Sequence, residues 1–278
     1  MHLALKVSVA LAVMAPVGCG GGYRVEVMGA SDNPQRQAPR PHTHYDSTIL
    51  LPSDQSAGEP SQPFAGTPQE KSVVHIRTGS QSCSGVLVGP RLVATAHQCV
   101  ASGQTGVIPA DPKMEIDIAS TSLTWTTRHG SFVVAPACAW EKLDLAVIVL
   151  GDSVDWMPPA KVGTAPGAGA HVQALGFGRC AGQARGIADK VGLVKSIDSD
   201  ALVIAVGLCL GDVGGPVVSS AGGDLIGVVS HQDDPDNVAH PTTTIFRLDT
   251  TSARSLFAAA AAVAGGNDPA KAPSVACE

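Results

Sequence analysis

From Ser72 onward the chain is a series of short runs rich in Val, Ile and Thr, separated by Gly, Pro and Asp. Such runs are typical of β-strands bounded by turns. No helical segments alternate with them, which excludes a doubly wound sheet. Apolar residues make up 44% of the 278 residues, which suits a packed core, and the pattern predicts an all-β domain. The clearest runs are SVVHIRT, GVLVG, RLVATA, SFVVA, LAVIVL, HVQALG, ALVIAVG, GPVVSS and DLIGVVSH.

One helix is predicted near the end of the chain. The run SLFAAAAAVA is strongly helical, the polar residues at 249–252 offer N-caps, and Gly265 and Gly266 stop the helix. The helix is therefore expected over about residues 250–264, followed by a tail over 265–278.

A set of short motifs resembles the trypsin-like serine proteases of the chymotrypsin fold, peptidase family S1. CLGDVGGP, residues 209–216, resembles the family's nucleophile loop GDSGGP. The other motifs follow in the family's order, and histidine region before aspartate before serine region is the trypsin order. They are CSGVLVGPRLVATAHQCV at 83–100, LDLAVIVL at 143–150, GFG at 176–178, VVSH at 228–231 and IFRLD at 245–249.

The resemblance covers roughly residues 66–264 and implies a fold. It predicts two six-stranded antiparallel Greek-key barrels with a C-terminal α-helix. The barrels are expected at about 69–160 and 161–248, within a trypsin-like domain over 66–278.

The resemblance also shows that two catalytic side chains are replaced. Val213 stands at the serine position, and an isopropyl group cannot form an acyl-enzyme. Gln98 stands at the histidine position, and His97 precedes it by one residue, which rotates its side chain by about 100° in a helical turn. Only Asp144 matches the triad, so an inactive member of the family is predicted.

Other parts of the catalytic apparatus are expected to persist. The backbone N–H groups of Gly211 and Val213 match the oxyanion-hole donors. Ser230 and the side-chain amide of Gln98 could both donate to Asp144, which keeps a buried carboxylate satisfied. In the alternative, Gln98 points to solvent and Asp144 is hydrated.

The activation and specificity residues also depart from the family. A cut after a basic residue normally frees an amine that pairs with the aspartate before the serine, but no Arg or Lys directly precedes PFAGTP at 63–68. Asp212 is therefore expected to lack that partner. Gly207, followed by Leu208, stands where trypsins keep an acidic residue, which predicts a closed or apolar pocket. His231, at a tryptophan position, is either a plain loop histidine or a base or ligand.

Seven cysteines fit an exported protein. The resemblance implies a Cys83–Cys99 disulfide. Cys180 with Cys209, and Cys138 with Cys277, are the further pairs expected, although a free thiol at Cys138 or Cys277 stays open.

The N-terminus predicts export. Residues 1–18 resemble a signal peptide whose apolar run is too short to span a bilayer. Cys19, which follows Val17 and Gly18, resembles the lipidated cysteine of bacterial lipoproteins, with an ordinary secretion signal as the alternative. Residues 19–65 are rich in Pro and polar residues and are predicted to be a disordered tether. An outer-membrane or cell-surface lipoprotein is therefore expected, with a secreted or periplasmic protein as the alternative.

These observations leave three hypotheses for function. The first is an exported pseudoprotease that binds a protein or peptide without cleaving it. The second is an active endopeptidase with an unrecognised nucleophile, for which Ser84, Ser219 and Ser220 are the nearby serines. The third is a structural envelope lipoprotein. The net charge of −6 argues against nucleic acid, and no cofactor or metal is predicted because the pair His42 and His44 offers too few ligands.

Overall fold

The computed structural model describes residues 68–277, except for 80, 102, 121–123, 180–186, 210 and 234–239. These residues belong to one compact unit. Within the described residues, fourteen strands form two antiparallel sheets, and three α-helices accompany them.

The first sheet contains eight strands in the order β4-β7-β8-β3-β2-β1-β5-β6. β4 and β6 are its edges. β4 ends at Pro109, which has no N–H to donate to a further strand, and β6 is only four residues long. The strands are β1 Val73–Thr78, β2 Gln81–Gly89, β3 Leu92–Thr95, β4 Gly106–Pro109, β5 Met114–Ala119, β6 Trp125–Arg128, β7 Gly130–Ala135 and β8 Ala146–Leu150.

The second sheet is a closed barrel of six strands in the order β10-β11-β14-β13-β12-β9. The predicted all-β class is confirmed. The expected two-barrel architecture with a C-terminal helix is also confirmed, with the first barrel formed, in the described residues, by a curled sheet of eight strands instead of six. The barrel strands are β9 His171–Gly176, β10 Ala188–Ile197, β11 Ala201–Ile204, β12 Pro216–Ser219, β13 Leu225–Gln232 and β14 Thr243–Arg247.

β8 shows how the strands divide the core. All five of its residues are buried, and alternate side chains enter two different clusters. Ala146, Ile148 and Leu150 pack inside the first sheet. Val147 and Val149 pack on the other face, in the cluster that includes the C-terminal helix. This alternation follows from the period of two along a strand. The segment just before β8, which carries Asp144, is therefore held between two packed layers.

Three α-helices are present among the described residues: α1 Pro68–Lys71, α2 His97–Val100 and α3 Thr251–Ala264. The predicted terminal helix is confirmed as α3. Its N-cap is Thr250, whose Oγ1 accepts a hydrogen bond from Ala253 N at 3.1 Å. At the other end, Arg91 Nη1 donates to Ala264 O at 2.7 Å and so ties α3 to the first sheet. No helix in the described part of the chain is long and apolar enough to cross a membrane.

Candidate functional site

Asp144 is fully buried and accepts three hydrogen bonds. Gln98 N donates to Oδ1 at 2.9 Å, Gln98 Nε2 donates to Oδ2 at 2.5 Å, and Ser230 Oγ donates to Oδ2 at 2.7 Å. Because a buried carboxylate is costly without donors, this network keeps the aspartate satisfied. The predicted contacts from Gln98 and Ser230 are present, and the alternative in which Gln98 points to solvent is wrong.

The short helix α2 places Gln98 beside Asp144 and turns His97 away. The Cys83–Cys99 disulfide anchors this helix to β2. His97 is fully buried, and its Nε2 lies 2.7 Å from Gln104 O. The one-residue shift therefore removes the imidazole from the Asp144 network, as the sequence predicted.

The Gln98 side chain cannot replace histidine as a base. Its Nε2 also donates to Ser230 O at 3.3 Å, so both N–H groups of the amide face acceptors. A carboxamide nitrogen donates hydrogen bonds but does not accept a proton at neutral pH. The arrangement around Asp144 holds a carboxylate in place without a general base next to it.

The loop around Val213 is held in a defined conformation. Val213 O accepts a hydrogen bond from Ser84 N, and Gly214 N donates to Val229 O, both at 2.8 Å. Gly214 has φ +84°, and a Cβ there would lie 2.2 Å from Ser84 O, so only glycine fits. Val213 itself is half-buried against the core of the first sheet. The loop keeps its shape, but its central side chain has no atom that can attack a carbonyl.

Two backbone N–H groups of this loop are candidates for ligand binding. Within the described part of the chain, Gly211 N and Val213 N donate to no other group. Gly211 has φ +97°, and its carbonyl accepts from Ser84 Oγ at 2.7 Å. Paired N–H donors of this kind suit a carbonyl or carboxylate oxygen.

Ser84 is a structural residue of this loop. Its Oγ is fully buried, donates to Gly211 O and accepts from Phe177 N at 2.8 Å. The hydroxyl hydrogen is therefore already engaged, and no base contacts it. Ser84 joins β2 to the loop and does not supply the missing nucleophile.

Asp212 has a partner that the sequence analysis did not foresee. Lys190, on β10, places its ammonium in a salt bridge with Asp212 Oδ2. The same carboxylate accepts from Gly178 N at 3.0 Å and from Cys209 N at 2.8 Å. The expectation was that Asp212 lacks the amine of a freed chain terminus, and within the described residues its charge is paired instead by an internal lysine.

Lys190 could not be found from the motifs. It lies in the alternating strand ADKVGLVKSI, where a lysine is most simply interpreted as solvated. The strand pairing that sets Lys190 opposite Ala174 brings it to the loop, and that pairing is a property of the whole barrel.

At the expected specificity position the described residues are Gly207 and Leu208, neither of which carries a charge. Gly207 lies against Pro241, since a Cβ at Gly207 would meet Pro241 Cγ at 3.3 Å. Leu208 N donates to Gln232 Oε1 at 3.2 Å. Neither Gly207 nor Leu208 supplies a charge that would hold a basic substrate side chain.

His231 is linked to the Asp144 network through Ser230. Its Nδ1 lies 2.9 Å from Ser230 Oγ, and its ring is 6.5 Å from that of Trp140. Because the single Ser230 hydroxyl hydrogen is given to Asp144, Nδ1 of His231 carries the proton that bonds to Ser230. The imidazole is 48% exposed, with Nε2 3.7 Å from Asp233 Oδ1. His231 therefore extends the polar network to the surface.

Two predicted disulfides are confirmed, Cys83–Cys99 and Cys138–Cys277. The alternative of a free thiol at Cys138 or Cys277 is wrong. Cys209 is also disulfide-bonded, and its predicted partner, Cys180, lies outside the described residues. Disulfides are consistent with an exported protein.

Several predicted features lie outside the described residues. They are the signal peptide over 1–18, the lipid-attachment residue Cys19, the tether over 19–65 and the PFAGTP segment. Within the described part of the chain, no group of three His, Cys, Asp or Glu side chains is arranged to hold a metal ion.

Comparison with known families identifies the chain. The sequence profile of the trypsin-like peptidase domain matches residues 83–228, just over half of the chain. The match includes the α2 region, Asp144 and the loop around Val213. The protein therefore belongs to the trypsin-like peptidase domain family. No protein with a curated description matches it.

Solved structures share the fold. A Glu endopeptidase is 17% identical with a TM-score of 0.56, over 74% of this chain and 98% of the other. The serine protease neuropsin from mouse brain is 19% identical with a TM-score of 0.53, over 69% of this chain and 94% of the other. At these identities the likeness shows the trypsin-like fold alone.

Proposed function

We propose that this protein is an exported pseudoprotease, which binds a protein or peptide segment at the former catalytic cleft without cleaving it. The observation that carries the proposal is the closed network of Gln98, Asp144 and Ser230. The carboxylate that would orient an imidazole is occupied by an amide, and Val213 offers no hydroxyl. Acyl transfer at this position lacks both the nucleophile and the base.

The binding function is supported by the groups that stay available. Gly211 N and Val213 N have no acceptor within the described residues, and Val213 is only half-buried. An extended peptide could place a carbonyl, or its terminal carboxylate, on these donors. His231, nearly half exposed and tied to Asp144 through Ser230, adds a polar contact at the edge.

The absence of cleavage is tested with unfolded protein and peptide-library substrates. We expect no new peptide termini by mass spectrometry after prolonged incubation. Removing one key member of such a triad costs on the order of 10⁶ in turnover, which is roughly 8 kcal/mol of barrier. Reproducible cleavage at defined bonds, retained after purification to homogeneity, would refute the proposal.

Binding is tested by selecting displayed peptides on the purified protein. We expect selected peptides to lose affinity for Val213→Arg, which fills the cleft with a long cationic side chain. Val191→Arg is the matched control, because Val191 is 64% exposed on the barrel surface. Peptides that bind both variants equally well, or a selection that enriches nothing, would contradict binding at this cleft.

The anchoring proposal rests on Cys19, which follows a short apolar run. A lipid on that cysteine would hold the domain at a membrane surface through the tether. Cys19→Ala should then move the protein from the membrane fraction to the soluble fraction, with the same amount of folded domain. If the Cys19→Ala variant stays in the membrane fraction, the protein is not anchored through this residue.

A further inference from the structure

A second group of catalytic residue types lies on the first sheet and shares no residue with the Asp144 network. β1 pairs with β2 on one side and with β5 on the other, and the register sets His75 opposite Asp117 and Arg77 opposite Ser82. Cross-strand partners share a face of the sheet, so these side chains project together.

The three side chains contact one another in the order nucleophile, base, carboxylate. His75 Nε2 lies 2.8 Å from Ser82 Oγ, and His75 Nδ1 lies 3.5 Å from Asp117 Oδ2. The first contact is a hydrogen bond, and the second is an electrostatic contact. A hydroxyl within hydrogen-bond reach of a base that faces a third, charged group is the arrangement that activates a serine.

The base and the carboxylate of this group are buried, whereas the serine is exposed, as a nucleophile that must meet a substrate requires. The side chains of His75 and Asp117 are only 6% and 2% exposed. Phe177 packs on the imidazole with ring centroids 5.1 Å apart, which fixes the ring. Ser82, by contrast, is exposed on the strand. A reagent can therefore reach the hydroxyl while the base stays packed.

The surroundings of Asp117 favour its charged form. Burial alone would raise the pKa of Asp117, but the contact with His75, the hydrogen bonds from Arg77 and Thr127 and the charge of Arg77 hold that pKa well below its ordinary range. The carboxylate is thus charged at neutral pH. His75 Nδ1 faces this charge at 3.5 Å, and the tautomer with its proton on Nδ1 leaves Nε2 to accept from Ser82.

We propose that Ser82, His75 and Asp117 form a second nucleophilic site, which takes small carboxylic esters. Ser82 Oγ bonds to the ester carbonyl carbon, and its proton passes to His75 Nε2. The C–O bond to the leaving alcohol then breaks, and the alcohol departs with the proton from His75. Water enters by the same steps in reverse, which releases the acid and restores Ser82. His75 is the base, and Asp117 is the positioning residue.

Arg77 competes with His75 for the carboxylate of this site. Its guanidinium donates to Asp117 at 2.8 and 3.0 Å and pairs with Glu115 at 2.7 Å. Arg77 and His75 share the Asp117 carboxylate. Asp117 is therefore less available to an imidazolium than the aspartate of a protease triad. Arg77 is opposite Ser82 in the strand register, but its guanidinium contacts the two carboxylates of β5 and gives the oxyanion no identified donor. We therefore expect a reactive serine with slow turnover.

The site is tested with an alkyl fluorophosphonate on the full-length chain. In this reaction Ser82 Oγ bonds to phosphorus, the P–F bond breaks and fluoride leaves, while the hydroxyl proton passes through His75 to solvent. We expect a single adduct by intact mass, mapped to Ser82 by peptide sequencing. Ser82→Ala should abolish it, and Ser220→Ala, at another exposed serine, should leave it unchanged.

Two further variants separate activation from mere exposure. His75→Gln should slow labelling by about 100-fold, the range that general-base catalysis supplies, and Asp117→Asn should slow it less. Melting temperatures show whether each variant is folded. Ser82→Ala is at an exposed position and should fold, so the loss or persistence of the adduct in this variant tests the proposal even if the other variants do not fold. No adduct, an adduct that persists in Ser82→Ala, or labelling of Ser82 at the same rate in folded His75→Gln would overturn the proposal.

This site is independent of the proposed pseudoprotease function. Its residues are neither Gln98 nor Val213, and its expected substrates are esters rather than peptides. Peptide cleavage measured in the Ser82→Ala variant reports on the former cleft alone, so failure of either proposal is seen without the other.

Discussion

At the level of single residues, Lys190 decides how the loop at 211–215 is held. The salt bridge with Asp212 involves a lysine that is 15% exposed and an aspartate that is 5% exposed. Removing one partner of a buried pair leaves an uncompensated charge, which costs about 3–5 kcal/mol. The geometry of Gly211 N and Val213 N depends on this carboxylate, because its residue lies between them in the chain.

Lys190→Met should therefore lower the free energy of unfolding by about 3 kcal/mol, measured by chemical denaturation. Lys195→Met is the matched control on the same strand, where the lysine is exposed, and it should change stability by less than about 0.5 kcal/mol. Adding Asp212→Asn to Lys190→Met should recover part of the loss, because no charge is then left unpaired. Equal stabilities of the two lysine variants would show that the pair does not hold the loop.

The former triad can also be tested by restoring it. Gln98 N still donates to Asp144, Ser230 Oγ still bonds the carboxylate, and Val213 is half-buried. Gln98→His with Val213→Ser, made in the Ser82→Ala background, should therefore give weak esterase activity above that background. Each single change should give much less, because the triad acts as a unit. Val213→Ser should cost little stability at a position that solvent reaches.

Activity is measured by the release of a chromogenic alcohol from an activated ester. Ester hydrolysis by the double variant at the rate of its Ser82→Ala parent would indicate that the cleft has lost its catalytic geometry. The hypothesis of a structural envelope protein would then gain.

The residue-level predictions from sequence succeeded where a motif fixes a position within a few residues. The distance from Cys99 to Gln98 is one residue, so the placement of Gln98 and His97 followed directly from the pattern. Lys190 and His75 meet their partners through strand pairing instead. Asp212 and Asp117 are distant in sequence, and no local pattern encodes which strand lies beside which.

At the level of elements, the strand pattern predicted β-structure correctly but not the size of the first sheet. β4 and β6 extend it to eight strands, and both are four residues long. Short strands of mixed burial such as WTTR carry a weak alternation signal. Whether they add to a sheet depends on neighbours such as β5 and β7, which the linear pattern does not specify.

The helix α3 was predictable because its signals are local. Thr250 caps it, and its buried residues pack on β7 and β8. Thr250→Ala should lower stability by about 1 kcal/mol, since loss of the cap leaves Ala253 N without its acceptor. Thr251→Ala, one residue later and exposed, is the control and should have almost no effect. Thermal unfolding followed by circular dichroism measures both, and equal losses would argue against a capping role.

At the level of the whole molecule, two buried or half-buried carboxylates make stability depend on pH. Burial would raise the pKa of Asp249, yet hydrogen bonds from Arg247 and Ala165 N and the Arg247 charge lower it. The same balance lowers the pKa of Asp117 more strongly. Both pairs connect distant parts of the chain, since Asp117 joins β5 to β1 and Asp249 joins the start of α3 to residue 165.

The sign of the pH effect follows from these shifts. A carboxylate with a folded pKa below its unfolded value, which is about 3.9, contributes stability that is fully present above that value. The contribution is lost as the pH falls toward the folded pKa, because the unfolded chain then binds more protons. We therefore expect the free energy of unfolding to fall steadily below about pH 4.

Asp117→Asn should be less stable than the parent at pH 7, and the difference should shrink as the pH decreases. Asp152→Asn, at an exposed aspartate, is the control. A gap between the parent and Asp117→Asn that stays constant from pH 7 to pH 2 would show that the ionised carboxylate does not contribute through its pairs with Arg77 and His75.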